Sequence, residues 1–330
     1  MSLLYAVGGR QKPGVTNQVE EWHQLGLAYV VAVNPEDGTV ESALEYVSPP
    51  EVCAAGDDPS IVFKTGTLVG HRLYVPTQTE VLIYEVPSFT QCGYVSLPCF
   101  NDVHHVRPST RGTLLVANTG LDMVVEVGED GTVHREWPVI DEPLWSRFSR
   151  DVDYRKVVTT KPHKAHPNHV FELDGEIWVT RCDQRDVRCL TREEPPIPIG
   201  DHWIHDGVVS GDRVYFTVVS GDVVVVDAAT RQVRDRHDLN RIAGGRTPLG
   251  WCRGLELLDA DHIVVAFSRL RPTRWKEGVQ WVKHQLGGDG LGLKATRLVM
   301  FDLARGRMCW EVDLEVAGMN VVFSVHRASP

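Results

Sequence analysis

Short runs of β-branched and aromatic residues recur along the whole chain, and each run ends at a cluster of turn-forming residues. Examples are Leu27–Asn34, Arg72–Pro76, Thr113–Asn118, Glu176–Thr180, Arg213–Thr217, His262–Phe267 and Asn320–Ser324. Runs of this length bounded by Gly, Asp and Asn are typical of antiparallel strands joined by hairpins. No stretch has the periodicity of an amphipathic helix longer than a couple of turns. The pattern therefore predicts an all-β fold.

The strands are grouped into a repeating unit that consists of a polar start, a strand, a turn, a second strand, an acidic turn and a third strand. The units begin near Phe63, His104, His166, His205, Arg253 and Asn320. Six units in 330 residues average 55 residues each, which is enough chain for a four-stranded blade. We therefore predict a single domain over residues 1–330, a six-bladed β-propeller. A β-sandwich with a second domain is the alternative, but it leaves the matched unit starts unexplained.

The last unit is incomplete, because little chain follows Asn320. The strands that it lacks are available at the N-terminus, in residues 3–8 and 27–34. A blade shared between the two ends of the chain closes the ring, and closure removes exposed sheet edges. We therefore expect the C-terminal strand to pair with the N-terminal strands.

Three insertions make the units longer than a minimal blade, at residues 139–163, 191–203 and 270–295. Long loops that are rich in Trp, Arg and Gly often act as functional lids. Packing against the outside of the propeller is an equally good interpretation of the same segments.

The charge balance argues against two classes of partner. The chain has 34 Lys and Arg against 44 Asp and Glu, a net charge of -10, and such a field repels nucleic acid and anionic membranes. No apolar run approaches the roughly 20 residues needed to span a bilayer, and the N-terminus lacks the pattern of a signal peptide. The seven scattered cysteines indicate a reduced, cytoplasmic setting. The oligomeric state is left open.

Histidines stand at the starts of consecutive units. His104, His166 and His205 open three of them, and His326 lies in the closing blade. The first strand of each blade lines the central channel of a propeller, so these side chains are expected to converge on one axis. Three imidazoles with an open position suit a divalent transition metal such as Fe, Cu or Zn. If the strand register differs by one residue, the ligands are instead drawn from His105, His169 and His202.

Other polar residues near these starts are candidates for acid–base chemistry and substrate binding. Asp206 and Glu256 could accept a proton or orient a histidine, and Arg253 could bind a substrate carboxylate. Asn168 could donate to substrate or bind a metal. Each of these side chains could equally hydrogen-bond a neighbouring blade and have no role in chemistry. Trp203, Trp251 and Trp275 could form the wall of a pocket or belong to the core.

Three segments carry a family resemblance. Asp102–Val106 with Leu114–Gly120, Cys252–Glu256 with Val265–Arg269, and Gly221–Thr230 resemble segments of a group of bacterial six-bladed propellers of unknown function. That group is distantly similar to NHL-repeat and gluconolactonase-type propellers. The resemblance implies a propeller fold and favours His104 and Arg253 as channel-lining positions. It does not imply a particular reaction, because one fold supports many activities.

Three functions are compatible with these observations. The first is a metal-dependent enzyme that acts on a small-molecule substrate at the mouth of the channel, as an oxidoreductase, a lyase or a hydrolase. The second is a metal-free lyase or isomerase that uses histidine with Asp206 or Glu256. The third is a non-catalytic scaffold that binds a ligand or protein on the propeller face.

Overall fold

The computed structural model of the protein describes residues 2–15, 24–54, 59–245, 248–270 and 294–328. Within these residues, 24 strands form six antiparallel sheets of four strands each. The sheets are the blades of a six-bladed β-propeller, so the predicted all-β fold is confirmed.

Blades 1 to 3 are each built from four consecutive strands. Blade 1 contains β4 (Thr67–Val69), β5 (Arg72–Pro76), β6 (Val81–Glu85) and β7 (Thr90–Val95). Blade 2 contains β8 (Val103–Pro108), β9 (Leu114–Asn118), β10 (Met123–Val127) and β11 (Val133–Pro138). Blade 3 contains β12 (Pro167–Leu173), β13 (Glu176–Arg181), β14 (Asp186–Cys189) and β15 (Ile197–Pro198).

Blades 4 and 5 follow the same rule, and blade 6 combines both ends of the chain. Blade 4 contains β16 (Ile204–Ser210), β17 (Arg213–Val218), β18 (Asp222–Asp227) and β19 (Val233–Asp238). Blade 5 contains β20 (Trp251–Leu257), β21 (His262–Ser268), β22 (Arg297–Asp302) and β23 (Arg307–Asp313). Blade 6 contains β24 (Val321–Arg327), β1 (Leu4–Gln11), β2 (Leu25–Val33) and β3 (Val40–Tyr46).

Within the part of the chain that the structure describes, helical structure consists of single turns between strands. The helix α1 (Leu239–Ile242) begins where the side chain of Asp238 accepts a hydrogen bond from Arg241 N, as N-cap residues do. Short 3₁₀ turns span Pro50–Val52, Thr119–Leu121, Tyr154–Lys156 and Glu315–Ala317. No helix among the described residues is long and apolar enough to cross a membrane.

Burial falls from the middle strands of a blade to its outermost strand. In blade 4, residues 223–226 of β18 are four consecutive valines, and all four are buried. The neighbouring outer strand β19 is mostly exposed and polar. Adjacent blades cover both faces of the middle strands. The sequences of these strands are therefore continuous apolar runs and do not alternate between apolar and polar residues.

The ring is closed by pairing between the two ends of the chain. β1 pairs with β24 in antiparallel register, with Tyr5 opposite His326 and Ala6 opposite Val325. The predicted shared blade is therefore confirmed, and its order is β24, β1, β2 and β3. Because Gly8 lacks a Cβ, the two strands can approach closely: a Cβ there would lie 1.9 Å from Val321 O.

A β-bulge interrupts the innermost strand of five blades. The register shifts between Val103 and His105 in β8, and equivalent shifts occur in β12, β16, β20 and β24. Each shift adds one residue to the innermost strand relative to its neighbour. A bulge turns two successive side chains towards the same side, so a single blade supplies residues to two levels of the channel.

The second predicted insertion is part of the blade. Residues 191–203 contain β15, the fourth strand of blade 3. β15 is only two residues long and ends in Pro198, and proline is tolerated on an outer edge strand because its missing N–H has no partner there.

Candidate functional site

An open pocket lies at the end of the central channel where the innermost strands begin. It contains about 870 Å³ of empty space, part of which is open to solvent. Each blade contributes one residue to its wall at the start of the innermost strand: Lys64, His104, Asn168, His205, Arg253 and Phe323.

The structure brings together most of the side chains that the sequence singled out. His104, His166 and His205 line this pocket, as do Asn168 and Arg253. The ring centroid of His104 lies 4.7 Å from that of His166 and 6.3 Å from that of His205. Side chains that are far apart in sequence therefore meet near the propeller axis.

His205 and Asp206 form a hydrogen-bonded pair at the bulge of β16. His205 Nδ1 lies 2.7 Å from Asp206 Oδ1, so Nδ1 donates and Nε2 is left as the acceptor nitrogen. This Nε2 is buried and has no hydrogen-bond partner among the described residues. Burial lowers the pKa of His205, although Asp206 acts in the opposite direction. At neutral pH the imidazole is therefore uncharged and able to accept a proton.

The partner carboxylate stays ionised in this buried position. Burial is the largest influence on the pKa of Asp206 and acts to raise it, but the hydrogen bond from His205 and the other interactions with His205 and its neighbours together lower the pKa. The backbone N–H of Asp206 also donates to Thr217 Oγ1 at 3.1 Å. The pair thus consists of a neutral imidazole that is oriented by a fixed, negatively charged carboxylate.

His104 is held in one orientation by blade 3. Its Nδ1 lies 2.6 Å from Asn168 Oδ1, and Asn168 Nδ2 donates to Ile204 O at 2.9 Å. Because the amide nitrogen of Asn168 is committed to a carbonyl, His104 Nδ1 must donate to the amide oxygen. Burial and the nearby Lys64 lower the pKa of His104 to about 3, although Asp102 opposes them. His104 is therefore a neutral imidazole whose Nε2 faces Asp102 Oδ1 at 3.4 Å.

Sequence analysis did not identify Lys64 or Asp102 as site residues. Lys64 Nζ donates to Asp102 Oδ1 on the pocket wall. Burial acts to raise the pKa of Asp102, but the adjacent Lys64 ammonium holds it well below its usual value. The signal was present in the sequence, because Asp102 lies two residues before His104 and Lys64 follows the unit start at Phe63.

The loop before β12 positions His166 by unusual backbone geometry. His166 has a φ of 53°, in the left-handed region that non-glycine residues rarely occupy. Its backbone N–H donates to Asp122 Oδ1 at 2.9 Å, and Asp122 itself has a φ of 49°. The ring nitrogen His166 Nδ1 lies 3.0 Å from His163 Nδ1. His163 is a further imidazole at this site that sequence analysis did not select.

A second level of histidines lies below the pocket. His105 Nδ1 accepts a hydrogen bond from Val170 N at 3.1 Å, so its Nε2 carries the proton and faces Thr67 Oγ1 at 3.0 Å. The ring of His105 stacks on that of His169, with centroids 3.6 Å apart. Both nitrogens of His105 are therefore engaged in the floor of the site. The remaining alternative ligand, His202, is exposed.

Three predicted site residues do not line the pocket: Asp206, which is hydrogen-bonded to His205, and His326 and Glu256. His326 lies three residues beyond Phe323, about 10 Å along an extended strand, and its Nε2 is 2.9 Å from Ser324 Oγ. The bulge in β24 places Phe323, and not His326, at the position that His104 occupies in blade 2.

Glu256 is also displaced from the pocket. It lies three residues beyond Arg253 on β20, and its Oε1 is 3.9 Å from Arg327 Nε. Burial raises the pKa of Glu256 to about 7, against the opposing effect of Arg327. Glu256 is therefore a protonatable group deeper along the channel, outside the pocket.

The pocket concentrates positive charge. Lys64, Lys161 and Arg253 line it, whereas Asp102 is the one carboxylate among its described lining residues. The histidines of the wall are neutral, as described above. On a chain with a net charge of -10, such a local excess of cations favours the binding of an anion.

The arrangement fits an anion better than a metal ion. Among the described residues, no group of three His, Cys, Asp or Glu side chains is arranged to hold a metal. The Nδ1 atoms of His104 and His205 are hydrogen-bonded to Asn168 and Asp206, an arrangement that metal-binding histidines share, so only the Nε2 atoms of these two rings are available to any ligand. The remaining nitrogens share the pocket with the cationic side chains, which oppose the binding of a second cation.

Aromatic side chains form the pocket wall on blades 4, 5 and 6. The indole rings of Trp203 and Trp251 are nearly parallel, with centroids 6.5 Å apart and an interplanar angle of 14°. Arg253 Cζ lies 4.2 Å from the ring centroid of Phe323, a cation–π contact. Cys252 is fully buried and burial raises its pKa well above the usual value, so this thiol is a core residue.

The first predicted insertion reaches the site. Val158, Thr159 and Lys161, from residues 139–163, line the pocket. The third insertion, at 270–295, falls almost entirely in residues 271–293, which lie outside the described residues. The basic residues and tryptophans that the sequence places there are therefore not part of the described site.

Comparisons with known proteins give a likeness of fold. No protein-family model and no curated protein sequence matches this chain. The structural alignment with a protein of unknown function from Bacteroides caccae covers 98% of this chain and 98% of that protein, at 11% sequence identity and a TM-score of 0.62. The alignment with a chain of a nidogen–laminin complex covers 98% of this protein and 97% of that chain, at 9% sequence identity and a TM-score of 0.56. The shared property is the propeller fold.

A streptogramin B lyase structure is also similar, at 10% identity and a TM-score of 0.49, covering 94% of this chain with 88% of its own. The likeness to the Bacteroides caccae and nidogen–laminin chains supports the architecture, and the chemistry must be argued from the side chains of the pocket.

Proposed function

We propose that the protein is an acid–base enzyme, a lyase or isomerase, that acts on a small molecule with an acidic group and needs no metal. The observation that carries the proposal is the buried His205–Asp206 pair, whose imidazole lines a cationic pocket. An imidazole whose Nδ1 donates to a carboxylate, and whose Nε2 has no partner among the described residues, is organised as a general base.

In this reaction His205 Nε2 removes a proton from a substrate carbon. The C–H bond breaks, an N–H bond forms, and the electron pair remains on the substrate. That pair then expels a leaving group in a lyase, or is reprotonated at another position in an isomerase. Asp206 stabilises the imidazolium that forms, and Arg253 and Lys161 offset the negative charge on the substrate.

Solvent exchange tests this proposal before the natural substrate is known. The purified protein is incubated in D₂O with a panel of small carboxylic acids, and deuterium incorporation is measured by mass spectrometry. We expect incorporation into at least one acid by the wild type and a loss of at least about a hundredfold in His205→Gln and Asp206→Asn. The control is Asp259→Asn, which removes the carboxylate of the surface pair with His262 at 2.9 Å. Equal exchange by Asp206→Asn and the wild type would refute the proposal.

A metal-dependent enzyme is the second candidate, because the rings of His104, His166 and His205 converge from three blades. Fe, Cu or Zn would then be the cofactor. Elemental analysis decides between the two: the metal-dependent candidate requires near-stoichiometric metal that is lost in a His104→Ala, His166→Ala double variant. Exchange that survives dialysis against a chelator supports the metal-free proposal.

The setting that we propose is reducing and cytoplasmic. All seven cysteines are free thiols in the structure, which is typical of proteins in reducing compartments. Secretion of the protein with intact disulfides would contradict this assignment.

A further inference from the structure

Two neighbouring blades repeat the same short pattern at the mouth of the pocket. Trp203 stands two residues before His205 in blade 4, and Trp251 stands two residues before Arg253 in blade 5. Residues two apart in extended chain face the same side, and all four side chains line the pocket. Each of the two blades therefore presents an indole above a polar group.

The two indoles are neighbours in the pocket wall. Their rings are within 14° of parallel, with centroids 6.5 Å apart. Both residues are only partly buried, although large aromatic side chains usually gain stability by burial in a core. Flat aromatic surface that remains accessible inside a pocket is suited to stacking against a planar group of a ligand.

The polar groups below the indoles complement an anion. Arg253 carries a guanidinium that suits bidentate contact with a carboxylate, and it is fixed over the ring of Phe323 at 4.2 Å. His205 supplies its buried Nε2 beside it. A ligand that lay across both levels would present a flat apolar part to the indoles and an acidic part to blades 4 and 5.

We propose that the site takes planar organic carboxylates, with the ring or conjugated group of the ligand against Trp203 and Trp251 and its carboxylate at Arg253. This inference rests on the proposed function and names its substrate class. It also specifies the orientation, because a carboxylate held at Arg253 brings the adjacent carbon of the ligand towards His205.

Binding of simple probes tests the inference without a known substrate. Benzoate, cinnamate and indole-3-acetate are titrated into the full-length protein by calorimetry, beside cinnamamide and cyclohexanecarboxylate. We expect at least one planar carboxylate to bind at least about tenfold more tightly than the neutral amide, because an ion pair with a fixed guanidinium is lost in the amide. The saturated, non-planar acid should also bind more weakly.

Variants locate the two contacts. Arg253→Gln and Trp203→Leu should each weaken binding of the planar acid by at least about tenfold. The control is Trp310→Leu, which alters a partly buried tryptophan on the outer strand β23 and should leave affinity unchanged. No binding of any planar acid by the wild type, or unchanged affinity in Trp203→Leu, would overturn the inference.

Binding and solvent exchange together distinguish failure of the planar-carboxylate site from failure of the proposed general-base function. His205→Gln should retain binding of the planar acid while it abolishes solvent exchange. Binding without exchange in the wild type would contradict the general-base function and support the planar-carboxylate site. Solvent exchange into non-planar acids alone would support the general-base function and contradict the planar-carboxylate site.

Discussion

Acidification should destabilise this propeller strongly, because imidazoles are buried in neutral form at its axis. Burial lowers the pKa of His104 and His169 to about 3 and that of His326 to about 4. In the unfolded chain a histidine takes up a proton near pH 6.5. The folded state therefore lacks protons that the unfolded state binds, and stability is lost as the pH falls below 6.5 towards the folded values.

The size of the effect follows from proton linkage. Each of these three histidines removes about 2 kcal/mol of unfolding free energy between pH 7 and pH 5, or about 6 kcal/mol together. Glu256 acts in the opposite direction, because burial raises its pKa to about 7 in the folded state. Its protonation adds about 2 kcal/mol to the unfolding free energy between pH 7 and pH 5. The pKa values of His105, His166 and His205 are also lowered and add to the loss.

The expected net loss is therefore at least about 4 kcal/mol, against a total stability of about 5–15 kcal/mol for a typical protein. Urea denaturation followed by tryptophan fluorescence at pH 7, 6 and 5 measures it directly. His326→Gln removes one titrating group below the pocket, so the difference in unfolding free energy between pH 7 and pH 5 should shrink by about 2 kcal/mol.

An unfolding free energy that stayed within about 1 kcal/mol between pH 7 and pH 5 would refute this reasoning. It would mean that the axial imidazoles are charged or solvated in the folded state, which would also remove the neutral base from the proposed mechanism.

Two further predictions concern the backbone that holds the site. Gly8→Ala should destabilise the protein by about 1–3 kcal/mol in urea denaturation, because the new Cβ meets Val321 O at the closure of the ring. Asp122→Ala should cost at least about 2 kcal/mol, since its carboxylate accepts buried backbone N–H groups from residues 164, 165 and 166. Limited proteolysis should then cut the variant within residues 139–163, and unchanged resistance would contradict this role.

The fold could be predicted because its signals are local. Short β-branched runs, the turns between them and the recurrence of polar unit starts specify hairpins and their grouping into blades. The sequence also predicted that the N-terminal strands complete blade 6, because a ring that is not closed exposes a sheet edge. Residues 191–203 were misread as an insertion because β15 is two residues long, too short for an alternating pattern.

The candidate site was predicted less completely. The unit starts identified His104, His166, His205 and Arg253 as channel-facing, with Asn168 on the same face as His166, and all five line the pocket. His326 was included because it lies in the closing blade, but it stands near the end of β24 and not at its start. Its depth in the channel depends on a bulge, and a bulge changes which side chain faces the axis without leaving a pattern in a single sequence.

The sequence by itself determined the secondary structure, the number of blades and the residue types that could reach the axis, since these follow from neighbouring residues in the chain. Only the tertiary structure decided which nitrogen of each imidazole carries a proton, because that depends on partners such as Asn168 and Asp206 fixed by other strands and bulges. It also decided that the local charge of the pocket is positive, because it brings Lys64, Lys161 and Arg253 together from distant parts of an acidic chain. Electrostatic energy depends on distance in space, and a sequence gives only distance along the chain.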